Sequence, residues 1–364
     1  MRPAVRTALL GLALVLAGGL FDGEPFYVAG LGLVGIGLGS AGWVALAARG
    51  TWIERTVGAA SVVEDDPVEL ALVVGTDTVV LPGGWVEHGL GTEPVRVAPG
   101  RTEVRFRINA HFARRGRRVL PPARAVLRDP LGLAERAVAG TRTDEILVLP
   151  RVHPVQAPAG WGAAMAGRAR SALAVAAEVE VDGLRPYQTS SPASRIHWPA
   201  LARGHGMMER KLRTDMDARP LVVLDTRGPA GEDAVDEAVR AAASLALPLA
   251  RAGGCALLLP GERRAAAIDP DLGAWPAAHV RLALVEPGGA PGQSALAPRS
   301  GALIYVCARA PRETPRPLYV AAGPRILVVP VALAGRRPAF SVGTCRGYAL
   351  GRADVRARVA GRAG

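Results

Sequence analysis

Between Asp182 and Arg227 the chain gathers the side chains best suited to chemistry. They are His197 and His205, Tyr187 and Trp198, the lone lysine Lys211, the arginines Arg185, Arg195 and Arg203, and Asp225. A histidine beside a serine would supply a base and a nucleophile for hydrolysis, but no nucleophile-elbow sequence and no ordered triad accompanies these two. His197, between Ile196 and Trp198, reads as a packed or hydrogen-bonded histidine. Arginine forks hold carboxylates bidentately. Arg185, Arg195 and Arg203 therefore either brace the stretch through carboxylates such as Asp182 and Asp225 or present a face to a partner. Asp225 closes the apolar run Leu221 to Leu224, and the carboxyl end of such a strand commonly faces a site. Cys255, Cys307 and Cys345 are odd in number, far apart and without metal-ligand spacing, which predicts buried, reduced thiols.

The elements that must position these residues follow from their pattern. A continuous apolar run from Leu221 to Leu224 predicts a buried parallel strand. Gly231 to Ala250 predicts a helix, with Glu232, Asp233, Asp236 and Glu237 at its start, Arg251 at its end and a buried stripe of Val235, Val239, Ala242 and Leu245. Pro248 is expected to end or kink it. Further strands are expected at Cys255 to Leu259, Arg281 to Val285, Leu303 to Cys307 and Ile326 to Val329, and the alternation points to a doubly wound α/β sheet. Ser190 and Ser191 before Pro192 predict a short helix carrying Arg195 to Trp198, with Met207 to Arg213 as a strand.

Upstream, Thr7 to Phe21 and Phe26 to Ala48 are uncharged apolar runs separated by Asp22, Gly23, Glu24 and Pro25. The second run is long enough to span a bilayer. The first is short and alone resembles a signal-peptide core. Together they predict a helical hairpin over residues 1–50. Arg2, Arg6, Arg49 and Arg55 flank it, and its turn is acidic, so both ends are expected in the cytoplasm. Its glycines either permit close helix packing or reflect composition.

Short apolar runs punctuated by Gly and Pro predict an antiparallel β-sandwich-like module over 51–150, with a sharp turn at Arg128 to Leu133. The cluster Arg114, Arg115, Arg117 and Arg118 reads as a solvated hairpin tip more than as a patch for acidic lipid or a partner. Residues 151–180 read as linker and lead-in, 181–332 as the signature stretch plus the α/β domain, and 333–364 as an Arg- and Gly-rich tail with little room for a packed face. The fold class expected is thus α+β multidomain. A net charge of +12 raises nucleic acid as a partner, but the arginines are dispersed through an Ala, Gly, Pro and Val background without interleaved aromatics, so no nucleic-acid partner is expected.

Leu184, Arg185, Pro186 and Tyr187, then Arg195, Ile196, His197 and Trp198, then Ala202 and Arg203, then Leu224 and Asp225 resemble the signature of the domain-of-unknown-function 58 family. The Arg128 to Leu133 turn and the hairpin fit the same resemblance. It departs from the family pattern at Thr189, Ser190 and Ser191, where an acidic turn is usual, and at Pro199. The resemblance implies a membrane-anchored protein with a von Willebrand factor A-like domain, working beside a MoxR-like AAA+ ATPase as an adaptor more than an enzyme. A metal site of the von Willebrand A type needs Asp-x-Ser-x-Ser, whose oxygens suit a hard divalent ion. Here Asp225 is followed by Thr226, Arg227, Gly228 and Pro229. The site is therefore expected to be degenerate, with Asp225 paired to an arginine or capping the next turn, and no cofactor is expected.

Overall fold

The computed structural model describes residues 2–90, 93–161, 164–165, 181–187, 196–204, 206–212, 219–228, 231–292, 301–321 and 323–351. The chain is a mixed α/β protein with two N-terminal apolar helices and several sheets, and it divides into two compact units. The first takes in Met1–Ala113 and Arg117–Val148. The second takes in Arg114–Gly116 and Leu149–Gly364.

In the first unit, α1 (Arg2–Phe21) and α2 (Glu24–Gly50) lie antiparallel across the turn at Asp22. Both are long and apolar enough to cross a membrane. α1 starts five residues before the apolar run read from sequence, so Arg2 and Arg6 lie within it. The helices touch through glycines. A Cβ on Gly30 would sit 2.6 Å from the Gly11 carbonyl oxygen, and one on Gly37 would sit 2.6 Å from that of Ala4. Such close backbone approach needs residues without side chains.

The rest of this unit is β structure. Strands β1 (Thr51–Val57), β2 (Ser61–Val63), β3 (Val68–Thr76), β4 (Gly84–Glu87), β5 (Val95–Val97), β6 (Glu103–Ala110), β7 (Gly116–Leu120), β8 (Arg124–Arg128), β9 (Glu135–Ala139) and β10 (Asp144–Leu149) form three sheets. Their orders are β1-β3-β6, β2-β10-β7 and β5-β4-β8-β9. β1, β3 and β6 pair antiparallel, as do β5, β4, β8 and β9. β3 alternates as a half-buried strand should, sending Leu70, Leu72 and Val74 inward. Leu72, Val74, Leu81, Val86 and Leu127 share one apolar cluster with Ala4, Val44 and Ala47 of the helices. The helix pair is thus part of the β module's core, and no linker separates them.

Arg55 corrects the sequence reading. It lies on β1 and is buried, so it does not flank the helices as a membrane-surface charge. Its Nε meets Asp144 Oδ2 at 2.7 Å, and its other nitrogens donate to the carbonyls of His88, Leu120 and Pro121.

In the second unit an eight-stranded sheet has the order β11-β19-β20-β18-β17-β14-β15-β16. Its strands are β11 (Val155–Gln156), β14 (Leu221–Asp225), β15 (Cys255–Leu258), β16 (Ala266–Ile268), β17 (Leu303–Cys307), β18 (Arg325–Val329), β19 (Phe340–Val342) and β20 (Cys345–Ala349). β14 pairs parallel with β15 and β17, and β17 pairs parallel with β18. The outer pairs β15–β16, β18–β20, β19–β20 and β11–β19 run antiparallel. Period-two geometry sends Val222 and Leu224 to one face and Leu221 and Val223 to the other, and both faces are buried. On the first face lies the helix α4 (Glu232–Gly253), through Val235, Val239, Ala242, Leu245 and Leu249; the short helix that precedes it in the chain, Trp198–Ala202, is α3. On the second face Leu318 packs against Tyr305 and Tyr348.

Several expectations change here. α4 runs through Pro248 to a glycine cap at Gly254. Arg281 to Val285 is not a strand, because Trp275–Ala283 forms a helix, α5. The last domain does not stop at 332. β19 and β20 extend the sheet to Ala349, burying Phe340, Cys345 and Tyr348 while Arg346 between them stays exposed. β11, placed in the linker by composition, is the sheet's edge. Residues 352–364 lie outside the described residues. Arg114 and Arg115 are not a solvated tip. Arg115 is buried, with Nε 3.0 Å from Asp236 Oδ1 and Nη1 donating to the carbonyls of Leu282, Ala283 and Val285. Arg114 reaches Glu232, Asp233 and Asp236 at the start of α4.

Candidate functional site

The signature stretch forms a small substructure. β12 (Val181–Pro186) pairs antiparallel with β13 (Met208–Leu212), with Arg185 opposite Glu209 in register. Glu209 is fully buried. The Tyr187 amide donates to Met207 O at 2.9 Å, and the His197 amide donates to Met208 O at 2.8 Å. His197 is the N-cap of the short helix α3 (Trp198–Ala202), its Nδ1 accepting from the Ala200 amide at 3.2 Å. The helix therefore begins at Trp198, where sequence placed Arg195 to Trp198 on it. Trp198 is exposed, and the Arg203 amide closes the helix on Ala200 O. The structure brings Arg185, Tyr187, His197 and Trp198 onto one strand pair and its helix. Arg195 and His205 lie outside the described residues.

Asp225 is held elsewhere, at the carboxyl end of β14. From this central strand the chain passes through α4 to β15 on one side, while β17 returns on the other. The strand order reverses between β14 and β17, where open α/β sheets commonly place a ligand site. Asp225 points to the same face as Val223, whose register partner on β17 is Tyr305. From there the buried Tyr305 hydroxyl donates to Asp225 Oδ2 at 2.7 Å. Arg227 closes over the carboxylate. Its backbone amide donates to Oδ1 at 3.0 Å, its Nε to Oδ1 at 3.0 Å and its Nη2 to Oδ2 at 2.6 Å. Both oxygens of Asp225 are therefore engaged, by a turn amide, a guanidinium and a phenol. Beside it the buried Thr226 hydroxyl meets Glu286 O and the Gly289 backbone, strapping that loop across the strand end.

The electrostatics follow from this geometry. The hydrogen bond to Asp225 pushes the Arg227 guanidinium pKa upward, so the group stays cationic. Burial, then the neighbouring Asp225 charge, pushes the Tyr305 phenol above its ordinary range. Burial also raises the thiols, Cys255 and Cys345 to about 12 and Cys307 further. All three cysteines are free and buried. Among the described residues no group of three or more His, Cys, Asp or Glu side chains comes together as a metal site. Sequence reasoning found Asp225 but left its partner open. The arginine two residues on was the available signal. Tyr305, 80 positions away, had none.

A stability prediction follows. Tyr305 and the three cysteines keep their protons in the folded state above pH values at which the unfolded chain, titrating from about 9 for thiols and 10 for tyrosine, releases them. The native state then binds more protons, so stability is fully present below about pH 9 and falls as pH rises beyond it. Each group adds up to about 1.4 kcal/mol per pH unit to that slope. Denaturant titrations between pH 7 and 10.5 should show the decline, and Tyr305→Phe should make it shallower above pH 10. A stability flat to pH 10.5 would contradict the burial of these groups.

No family model and no curated protein matches the chain. Among solved structures, the chain is similar to the PKD domain of an M14-like peptidase from Thermoplasmatales archaeon SCGC AB-540-F20, at 16% identity over 27% of this chain and 92% of that chain, with a TM-score of 0.21.

Proposed function

We propose that this protein is a membrane-anchored, non-enzymatic adaptor of the domain-of-unknown-function 58 type, whose partner is a MoxR-like AAA+ ATPase. In this reading α1 and α2 form a transmembrane hairpin with both ends in the cytoplasm. The β module is sandwich-like, and the second unit is a von Willebrand factor A-like domain with a doubly wound sheet. Exposed Arg2, Arg6 and Arg49 on one side of the helix pair and acidic Asp22 and Glu24 on the other support that orientation.

The observation that carries the proposal is the Arg227 guanidinium on Asp225. A cation in a von Willebrand A-type site would need that carboxylate and two further hydroxyl oxygens. Here a fixed positive charge, held at 2.6 Å, occupies the carboxylate, and Arg227 stands at the position of the first hydroxyl. Such a domain can present a surface while dispensing with a metal. A hydrolase reading is weakened because His197 Nδ1 is taken up in capping α3. Two measurements test the proposal. Affinity capture of the full chain from detergent-solubilised membranes should recover an AAA+ ATPase, and repeated capture without one would count against the adaptor role. Calorimetry with Mg²⁺ or Mn²⁺ should give no heat. Binding heat that disappears in Asp225→Ala would instead favour a metal-dependent ligand-binding module.

A further inference from the structure

We propose that the first unit rests two apolar loop tips, at Val80 and Leu131, in the interfacial layer of the bilayer. This rests on the reading of α1 and α2 as membrane-spanning. Among the described residues, the helix pair is fastened to the β module at one end, and by two loops. The Ala4 amide of α1 donates to Leu133 O at 2.9 Å. At the matching end of α2, Trp43 Nε1 donates to Val80 O at 2.8 Å, Thr78 Oγ1 to Leu46 O at 3.0 Å, and the Asp77 amide to Gly50 O at 3.1 Å.

Helix geometry sets the depth of those loops. The acidic turn at Asp22 to Glu24 must lie outside the hydrocarbon on the far side. About 20 residues, rising about 1.5 Å each, cross the roughly 30 Å core. Counted from the turn, α2 reaches the near boundary around Trp43 and Val44, and α1 reaches it around Arg2 to Ala4. These are the positions that bond Val80 and Leu133. The two loops are therefore level with the boundary by construction, and Trp43 is the type of residue that favours it.

The side chains at those tips are the wrong kind for water. Leu131 is 65% exposed and Val80 40% exposed. Among the described residues of this unit's β module, the only other large apolar side chain so exposed is Val119. Leu131 is displayed by a rigid turn. The buried Asp129 carboxylate accepts the Leu131 amide at 3.1 Å and the Ala134 amide at 2.5 Å, and the Gly132 amide donates to Asp129 O at 2.9 Å. Exposed Arg101 and Arg128 flank the loops, and exposed Arg2, Arg6 and Arg49 line the same helix ends, which suits anionic headgroups. The Arg-Asp-Pro-Leu-Gly-Leu turn thus acts as an apolar foot beside the anchor, holding the module flush on the lipid surface.

Spin labels test this on the full chain in phosphatidylcholine/phosphatidylglycerol vesicles. The native cysteines are buried, so single cysteines at Leu131→Cys, Val80→Cys, Leu12→Cys and Val119→Cys carry the label. Leu12 lies on the outward side of α1 and reports whether the helices span. Val119, exposed on β7, is the aqueous reference. Power saturation compares relaxation by oxygen, which concentrates in lipid, with relaxation by a water-soluble nickel chelate. The proposal expects the oxygen-to-nickel ratio at Leu131 and Val80 to shift toward that of Leu12 and away from that of Val119. Ratios at Leu131 and Val80 equal to that at Val119, with Leu12 in lipid, overturn the proposal and leave the spanning reading intact. A Leu12 label that relaxes as Val119 does overturns both.

Discussion

Arg55→Ala should cost the first unit about 3–5 kcal/mol, the range for removing one partner of a buried ion pair. The charge is buried on β1 and saturated by Asp144 and three backbone carbonyls, from the loop after β4, the last residue of β7 and the loop that follows it. Alanine removes all four bonds at once and leaves the buried carbonyls without a donor, at about 1–3 kcal/mol for each one that stays dry. Asp144 keeps one partner, since Arg142 Nε lies 2.8 Å from its Oδ1, which moderates the loss. Arg55→Lys should not rescue, because an ammonium cannot reproduce a planar fork that reaches three carbonyls. Asp144→Asn should be milder, as the carbonyls remain bonded. The control is Arg107→Ala. Its pair with Glu69 is exposed on both sides at 3.4 Å, and its loss should shift stability by no more than about 0.5 kcal/mol. Urea titration of the detergent-solubilised chain, followed by tryptophan fluorescence, measures all four. An Arg55→Ala loss below about 1 kcal/mol would mean that water reaches the site and that Arg55 is a surface charge after all.

That residue also shows where sequence reading stops. Charge after an apolar run reads as a membrane flank, and nothing in the order Trp52, Ile53, Glu54, Arg55 reveals that Asp144, 89 positions on, will meet it. Long-range polar pairs leave no periodic trace. The same holds for Tyr305 on Asp225. Patterns that arise from one element were legible: the two apolar helices, the buried strands Leu221–Asp225 and Leu303–Cys307, and the acidic start and apolar stripe of α4. Where two local signals compete, the reading failed. Arg281 to Val285 is apolar enough for a strand, yet Trp275 and Pro276 upstream start a helix that buries Ala278, Leu282 and Ala283. The C-terminal segment looked too rich in Arg and Gly to pack, but β20 needs few apolar residues because both faces of the sheet are covered there. Cys345 is buried on one face and Tyr348 on the other, while Arg346 stays exposed. Pro248 was expected to end or kink α4; the helix does not end there, and burial of Leu245, Leu249 and Ala250 outweighs its missing hydrogen bond. For the candidate site, Asp225 and the Arg227 that follows it were visible in the order of residues. Their geometry was not.

The glycines of α2 separate two further possibilities that composition left open. Gly37→Ile should destabilise the protein by about 1–3 kcal/mol, the usual cost of overpacking a close contact, and the damage should spread beyond the helices. A Cβ there would lie 2.6 Å from Ala4 O and 2.9 Å from the Ala8 amide, so α1 must move. Ala4 is not free to move alone. Its amide is bonded to Leu133 O, and its side chain sits in one apolar cluster with Val44, Leu72 and Leu127. Pushing α1 away at this level therefore pulls on the β module's core. Gly30→Ile makes an equally tight contact, 2.6 Å from Gly11 O, but deeper in the helix pair and without that connection. It should loosen the helices while sparing the β structure. Gly35→Ile meets nothing within 4 Å and should be neutral or slightly stabilising, since isoleucine is the better helix former. Thermal unfolding in detergent, read together with protease cleavage within residues 51–150, distinguishes the three. Gly37→Ile should expose that region to cleavage at a lower temperature than Gly30→Ile does. If Gly35→Ile proved as harmful as Gly37→Ile, the outward glycines would be serving association between copies of the chain, and the helix pair would not be the self-contained unit whose base forms part of the β module's core.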